Sequence, residues 1–272
     1  MPEAWVQYNK ELPYIEGREP WEVPACYLRK TGQNQYEVVK GRRLSRMLLV
    51  NRLRADIDKW REDGYPGATE TSKELLSYWF EQSHPPVFGS EPFNFYFCQR
   101  EAVETIIYLF EVKKYSDVAP LIEDYREKYQ VGLFSYEVEI TEDLEGKRKV
   151  KRYFSELEQE GEQELPEKNL LRYAVKMATG SGKTMVMAFV IIWSYFNRFK
   201  EKSSRYADNF LIVAPNVIVY ERLAKDFSNG LIFKNFPFIP KAWEPLWKPN
   251  IKLRGDESPL GTSANIIVNN IH

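Results

Sequence analysis

The chain has 272 residues, 43% of them hydrophobic and 28% charged, which is enough apolar material for a packed core and excludes a disordered tail. A formal net charge of -1 excludes the chain-wide positive field of a protein that coats nucleic acid, so any contact with a polyanion has to be local. Cys26 and Cys98 are isolated and exclude a disulfide framework, which points to a reducing, cytoplasmic setting.

Residues 1 to 43 are interrupted by Pro13, Pro20 and Pro24 and predict a loose leading segment with a small hairpin that includes Tyr36 to Lys40. Apolar residues at helical spacing predict a helix from Leu44 to Asp63 and a second from Thr71 to Gln82, the two packing together. His84-Pro85-Pro86 and the stretch from Gly89 to Pro92 break that pattern, because proline removes a donor and disfavours helix in the residue before it. The expected division is an accessory segment over 1–92 and a nucleotide-binding domain over 93–272.

Within that domain a helix is expected from Gln99 to Tyr115, with Ala102, Ile106, Leu109 and Phe110 inward. Residues 116–170 look like an insertion: a helix, a hairpin pairing Phe134 to Thr141 with Lys149 to Phe154, and an acidic run ending in a flexible loop. From Leu170 onward strand and helix alternate: strand Leu171 to Met177, helix Thr184 to Lys200, strand Phe210 to Ala214, helix Val217 to Phe227, strand Asn265 to Val268. That alternation predicts an α/β fold with a parallel sheet flanked by helices. Residues 231–262, rich in Pro and Trp, are expected to form an irregular surface excursion. The longest apolar run, Met185 to Phe196, is well short of the roughly 20 residues a membrane helix requires, so it is expected to be a buried helix.

The strongest local signal is Met177-Ala178-Thr179-Gly180-Ser181-Gly182-Lys183-Thr184, placed between an apolar segment and an apolar helix. Glycines at 180 and 182 let the backbone curl until successive N–H groups point at phosphate oxygens, and the following helix presents its positive end to them. Lys183 reaches toward β and γ phosphates, and the Thr184 hydroxyl is placed to hold Mg²⁺. The strict pattern has glycine where Met177 stands. ATP with magnesium is the expected ligand. Upstream, Gln99 follows Phe93, Phe95, Tyr96 and Phe97; its carboxamide matches the N6 and N7 edge of adenine, or else it simply begins a helix beside core aromatics.

FYFCQREAVETIIYL, KMATGSGKT, FLIVAPNVIVYERL and IIVNNIH occur in that order. Together they resemble the Q motif, motif I, motif Ia and the next strand-end motif of superfamily 2 helicases of the DEAD/DEAH-box type. They are more closely similar to the restriction subunits of type III restriction enzymes. The resemblance implies a P-loop, RecA-like domain in which Gln99 reads adenine and Ala178 to Thr184 hold the triphosphate. Pro215, Asn216, Asn269 and Asn270 would face one strand of double-stranded DNA. For Asn216 the plain alternative is a helix N-cap.

The family's Asp-Glu-x-His motif, which supplies a carboxylate for magnesium and a base for water, does not follow Lys183. The expectation is therefore an amino-terminal piece of a larger translocase that binds nucleotide without turning it over. Modification subunits would be its companions, and a nuclease domain would lie elsewhere in the whole protein. A nucleotide-switched binding module without motor activity is the alternative, and a small-molecule kinase is disfavoured because no arginine-rich lid follows the loop.

Overall fold

A computed structural model of the chain describes residues 13, 19–33, 35–45, 48–115, 119–121, 124–125, 136–154, 159–164, 172–262 and 264–271. They fall into two compact units. One gathers the described residues of Met1–Arg46, Thr69–Glu104 and Met177–His272; the other gathers those of Met47–Ala68 and Thr105–Lys176.

The first unit opens with an antiparallel hairpin, β1 (Cys26–Gly32) and β2 (Gln35–Lys40). Helix α2 (Glu70–Glu81) starts where Thr69 caps it, the hydroxyl accepting from Ser72 N at 3.0 Å. Its buried face, Ser72, Leu75, Leu76 and Trp79, lies against α4 (Lys183–Lys200). The contact is polar as well as apolar: Trp193 Nε1 and Asn197 Nδ2 both donate to Ser72 Oγ at 2.9 Å, and Thr69 Oγ1 meets Asn197 Oδ1 at 2.6 Å. Within its own unit the partner of α2 is α4, which carries the groups that α2 must satisfy.

The sheet of this unit has three parallel strands, β6 (Asn209–Ala214), β8 (Asn265–Asn270) and β7 (Asn250–Leu253), in the order β6-β8-β7. Helix α5 (Val217–Phe227) covers the face carrying Ile212, Ala214, Ile266 and Val268. At the amino ends three asparagines stand in one register row. Asn265 Nδ2 donates to Asn209 Oδ1 at 2.5 Å, and Asn250 Nδ2 donates to Asn265 Oδ1 at 2.9 Å.

Two expectations are corrected. Residues 172–178 before the phosphate loop form no strand, and Leu171 lies outside the described residues. A central parallel strand is covered on both faces, whereas Tyr173 and Val175 here are 37% and 40% exposed, and no strand among the described residues offers them a ladder. The Pro- and Trp-rich segment is core: it holds the short helix α6 (Leu231–Asn235), a 3-10 turn (Lys241–Leu246) and β7. Phe238 is fully buried, with Phe233, Ile239 and Trp243 nearly so. Phe189 of α4 lies at the centre of an aromatic cluster, with ring centroids 4.6 Å from Phe95, 4.7 Å from Trp79 and 4.8 Å from Phe238. His84 is buried beside this cluster, its ring nitrogen against Trp79 O, and desolvation lowers its pKa.

In the second unit, α1 (Leu48–Glu62) carries Trp60, whose ring lies edge-on to Tyr65 and tilted against Tyr108. Tyr125 OH donates to Asp56 at 2.7 Å, and Arg52 donates to the Tyr125 carbonyl at 3.2 Å. The helix α3 (Phe97–Ile107) does not continue regularly to Tyr115 but passes into a π-helical stretch over Tyr108–Lys113. Strands β3 (Tyr136–Glu142) and β4 (Arg148–Phe154) form the expected hairpin, and the acidic run contributes a third strand, β5 (Gln159–Glu164). The flexible-loop expectation fails over these residues, which pair with β4 in antiparallel register from Lys149 opposite Glu164 to Phe154 opposite Gln159. No helix among the described residues is long and apolar enough to cross a membrane.

Candidate functional site

The loop at 178–184 is shaped by its two glycines. Gly180 and Gly182 adopt φ of 81° and 82°, a left-handed conformation that other residues adopt only under strain. Gly182 caps α4, its carbonyl accepting from Met185 N at 2.9 Å and Val186 N at 3.3 Å. The N–H groups of Gly180, Gly182, Lys183 and Thr184 find no acceptor among the described residues, so a row of donors stands at the positive end of an 18-residue helix. The carbonyls of the loop are occupied instead. Lys183 Nζ donates to Met177 O at 3.0 Å and to Ala178 O at 2.8 Å, while Ser181 Oγ donates to Ala178 O at 2.7 Å. Lys183 is exposed and Thr184 half-buried. Free amides, an exposed ammonium and a hydroxyl in one turn fit a polyphosphate with its magnesium ion. Lys183 and the loop amides would hold the phosphates, and Thr184 the metal.

Gln99 lies against this loop. It is 5% exposed; Nε2 donates to Ser181 O at 3.0 Å and Oε1 accepts from Tyr96 N at 3.0 Å. Cys98 Sγ meets the same Ser181 carbonyl at 3.8 Å. The carboxamide thus ties the first turn of α3 to the phosphate loop and keeps one N–H and one lone pair for anything else. Arg42, after β2, forms an ion pair with Glu101 and stacks 5.0 Å from the Phe97 ring, which anchors the same helix from its other side.

The carboxyl ends of β6 and β8 bring the other four candidates together, with Ala214 in register opposite Asn270. Pro215, Asn216 and Asn269 are exposed. Asn216 caps α5, its Oδ1 accepting from Val219 N at 2.9 Å. Asn270 is 8% exposed and turns its carbonyl oxygen to Arg254, whose Nη1 donates at 2.9 Å.

A family model described as type III restriction enzyme, res subunit, matches residues 96–272. The chain belongs to this family. No curated protein and no solved structure matches it.

The matched span begins one residue before α3 and takes in Gln99, the phosphate loop and all three parallel strands, so the restriction-subunit family covers every candidate residue named above. The chain therefore carries the helicase-like ATP-binding module of that family. Its sheet is smaller than a full RecA-like one, with three parallel strands among the described residues. Sequence reasoning missed Arg254: a lone arginine between β7 and an acidic turn has no spacing that marks it, and only the fold sets it beside Asn270.

The two glycines differ in what surrounds them. A Cβ on Gly182 would collide with Gln99 Nε2, whereas one on Gly180 would meet nothing within 4 Å. Both substitutions by alanine incur the left-handed backbone cost of about 1–2 kcal/mol. Gly182→Ala must also displace Gln99 from Ser181 O, so its melting temperature should fall clearly below that of Gly180→Ala. Equal melting temperatures would show that Gln99 does not brace the loop.

Proposed function

We propose that the chain is the ATP-binding portion of an ATP-dependent DNA translocase or helicase working in a type III-like restriction system. The observation that supports it best is the loop from Gly180 to Thr184, with four amides that find no acceptor among the described residues and an exposed lysine, set in a chain of the restriction-subunit family. In this reading Lys183 and the loop amides hold the β and γ phosphates of ATP, and Thr184 holds Mg²⁺. Gln99 uses its remaining N–H and lone pair on adenine. Pro215, Asn216, Asn269 and Asn270 line the edge that meets one strand of duplex DNA, consistent with the tendency of open α/β sheets to gather ligands at strand carboxyl ends. A modification subunit is the expected companion in the assembled enzyme.

The test is a pair of titrations on the purified chain. Mg·ATP should bind with heat, Mg·GTP more weakly, and duplex DNA should bind with an affinity that falls steeply as salt rises. Because no Asp-Glu-x-His follows Lys183, binding without DNA-stimulated hydrolysis is the expected result. Robust turnover abolished by Lys183→Ala would overturn the binding-only part of this reading. Mg·ATP binding with no DNA affinity at low salt would favour a nucleotide-switched module that recruits a protein partner.

A further inference from the structure

The four candidates at the carboxyl ends of β6 and β8 are two exposed asparagines, a proline and a buried asparagine, none of which carries charge. Arg254 stands one residue beyond β7 at the same edge, exposed, and two contacts fix it there. Its backbone N–H donates to Tyr220 OH of α5 at 3.0 Å, and its guanidinium donates to Asn270 Oδ1 at 2.9 Å. Neither partner is anionic, and no carboxylate among the described residues forms an ion pair with Arg254. A neutral tether orients the guanidinium while leaving its charge and its other N–H donors free.

Two neighbours bear on where that charge acts. Asp256, two residues on, accepts from Ser258 N at 2.9 Å; the Ser258 hydroxyl and amide hold its carboxyl below the usual carboxylate range, and Lys252 adds to this. That carboxylate bonds to Ser258 and forms no ion pair with Arg254. Asn270 is the second: its Nδ2 is a buried donor with no acceptor among the described residues, on the same carboxamide whose oxygen receives Arg254. An amide donor left unpartnered in the interior is costly, yet Asn270 keeps this orientation, with its oxygen on Arg254.

We propose that Arg254 is the phosphate-binding residue of the strand-end edge, with Asn270 as its positioning residue, and that its ligand is a backbone phosphodiester of duplex DNA. The inference rests on the proposed reading of that edge as a DNA-facing surface and names the contact chemistry which that reading lacked.

The experiment is a salt series of fluorescence anisotropy titrations of the whole chain with a labelled duplex oligonucleotide. Arg254→Gln keeps a donor for Asn270 but removes the charge; it should weaken binding roughly tenfold at low salt and reduce the log–log salt slope by about 0.9, the loss of one phosphate contact. Arg254→Lys should keep the slope and lose part of the affinity, because an ammonium lacks the planar fork. Asn270→Asp turns the tether into an ion pair and should weaken DNA binding although Arg254 is intact. Unchanged Mg·ATP affinity in each variant reports an intact fold.

If Arg254→Gln binds with the wild-type affinity and slope, the inference is overturned and the DNA-facing edge survives. If the wild-type chain binds no duplex at any salt, that edge fails and the inference fails with it. Inorganic phosphate replacing chloride at constant ionic strength separates the two sources of phosphate oxygen. Retained duplex binding supports a backbone contact, whereas wholesale displacement assigns Arg254 to the free ion and overturns the proposal.

Discussion

Phe189→Ala should lower the unfolding free energy of the nucleotide-binding unit by about 3–5 kcal/mol, the usual range for emptying a buried phenylalanine site. The residue is fully buried, and it meets Trp79, Phe80, Phe95 and Phe238 at ring centroid distances of 4.6–5.3 Å. Those neighbours come from α2, from the segment before α3 and from the segment after α6, so no single element can shift to fill the void. Edge-to-face aromatic contacts add to the loss beyond burial alone. The measurement is denaturant unfolding followed by near-ultraviolet circular dichroism, which reports the packing of these rings. Phe189→Leu, which refills much of the volume, should recover part of the loss. A shift below about 1 kcal/mol for the alanine variant would mean that this cluster is not what holds α2 and α4 together.

Lys183→Ala should weaken Mg·ATP binding by about 10- to 100-fold, the equivalent of losing charge-assisted hydrogen bonds of about 1.5–3 kcal/mol. Stability should scarcely change, because the ammonium is exposed and, among the described residues, bonds to the Met177 and Ala178 carbonyls alone. Calorimetric titration and a thermal melt on the same preparation separate the two effects. Lys183→Arg should restore little, since the guanidinium is a planar fork where the loop offers room for a compact ammonium. Wild-type affinity in Lys183→Ala would remove this loop from nucleotide binding altogether.

How much of this was legible in the sequence depends on where each signal lives. The turn at Gly180 to Thr184 was legible because its shape is a matter of backbone: two glycines at fixed spacing before a helix specify it, and both adopt the left-handed φ this requires. Helix α5 was equally plain, being a local pattern, whereas the cap was only one of two readings of Asn216. The partner of α2 was not, because Ser72, Trp193 and Asn197 are distant in sequence and carry no joint period. The burial of Phe238 and Trp243 was hidden by prolines that suggested surface, although such a concentration of aromatics is costly to leave in water. The missing strand at 172–177 shows the converse: an apolar alternation makes a strand only when a neighbouring edge completes its hydrogen bonds. Arg254 was invisible for a related reason, since its meaning comes from a residue in another strand.

The asparagine row through Asn209, Asn265 and Asn250 bears on the opposite end of the sheet. A strand that slipped by one residue would turn its whole side-chain set over and would also leave the buried Asn265 amide unpaired, so the row acts as an index mark shared by three strands. Every residue further along each strand is then set by counting from that mark. Arg254 and Asn270 meet because β7 and β8 are measured from the same line. A substitution at Asn265, at the far end of the strand from any ligand, would act as an error of alignment, spoiling the contacts at the carboxyl edge without touching them.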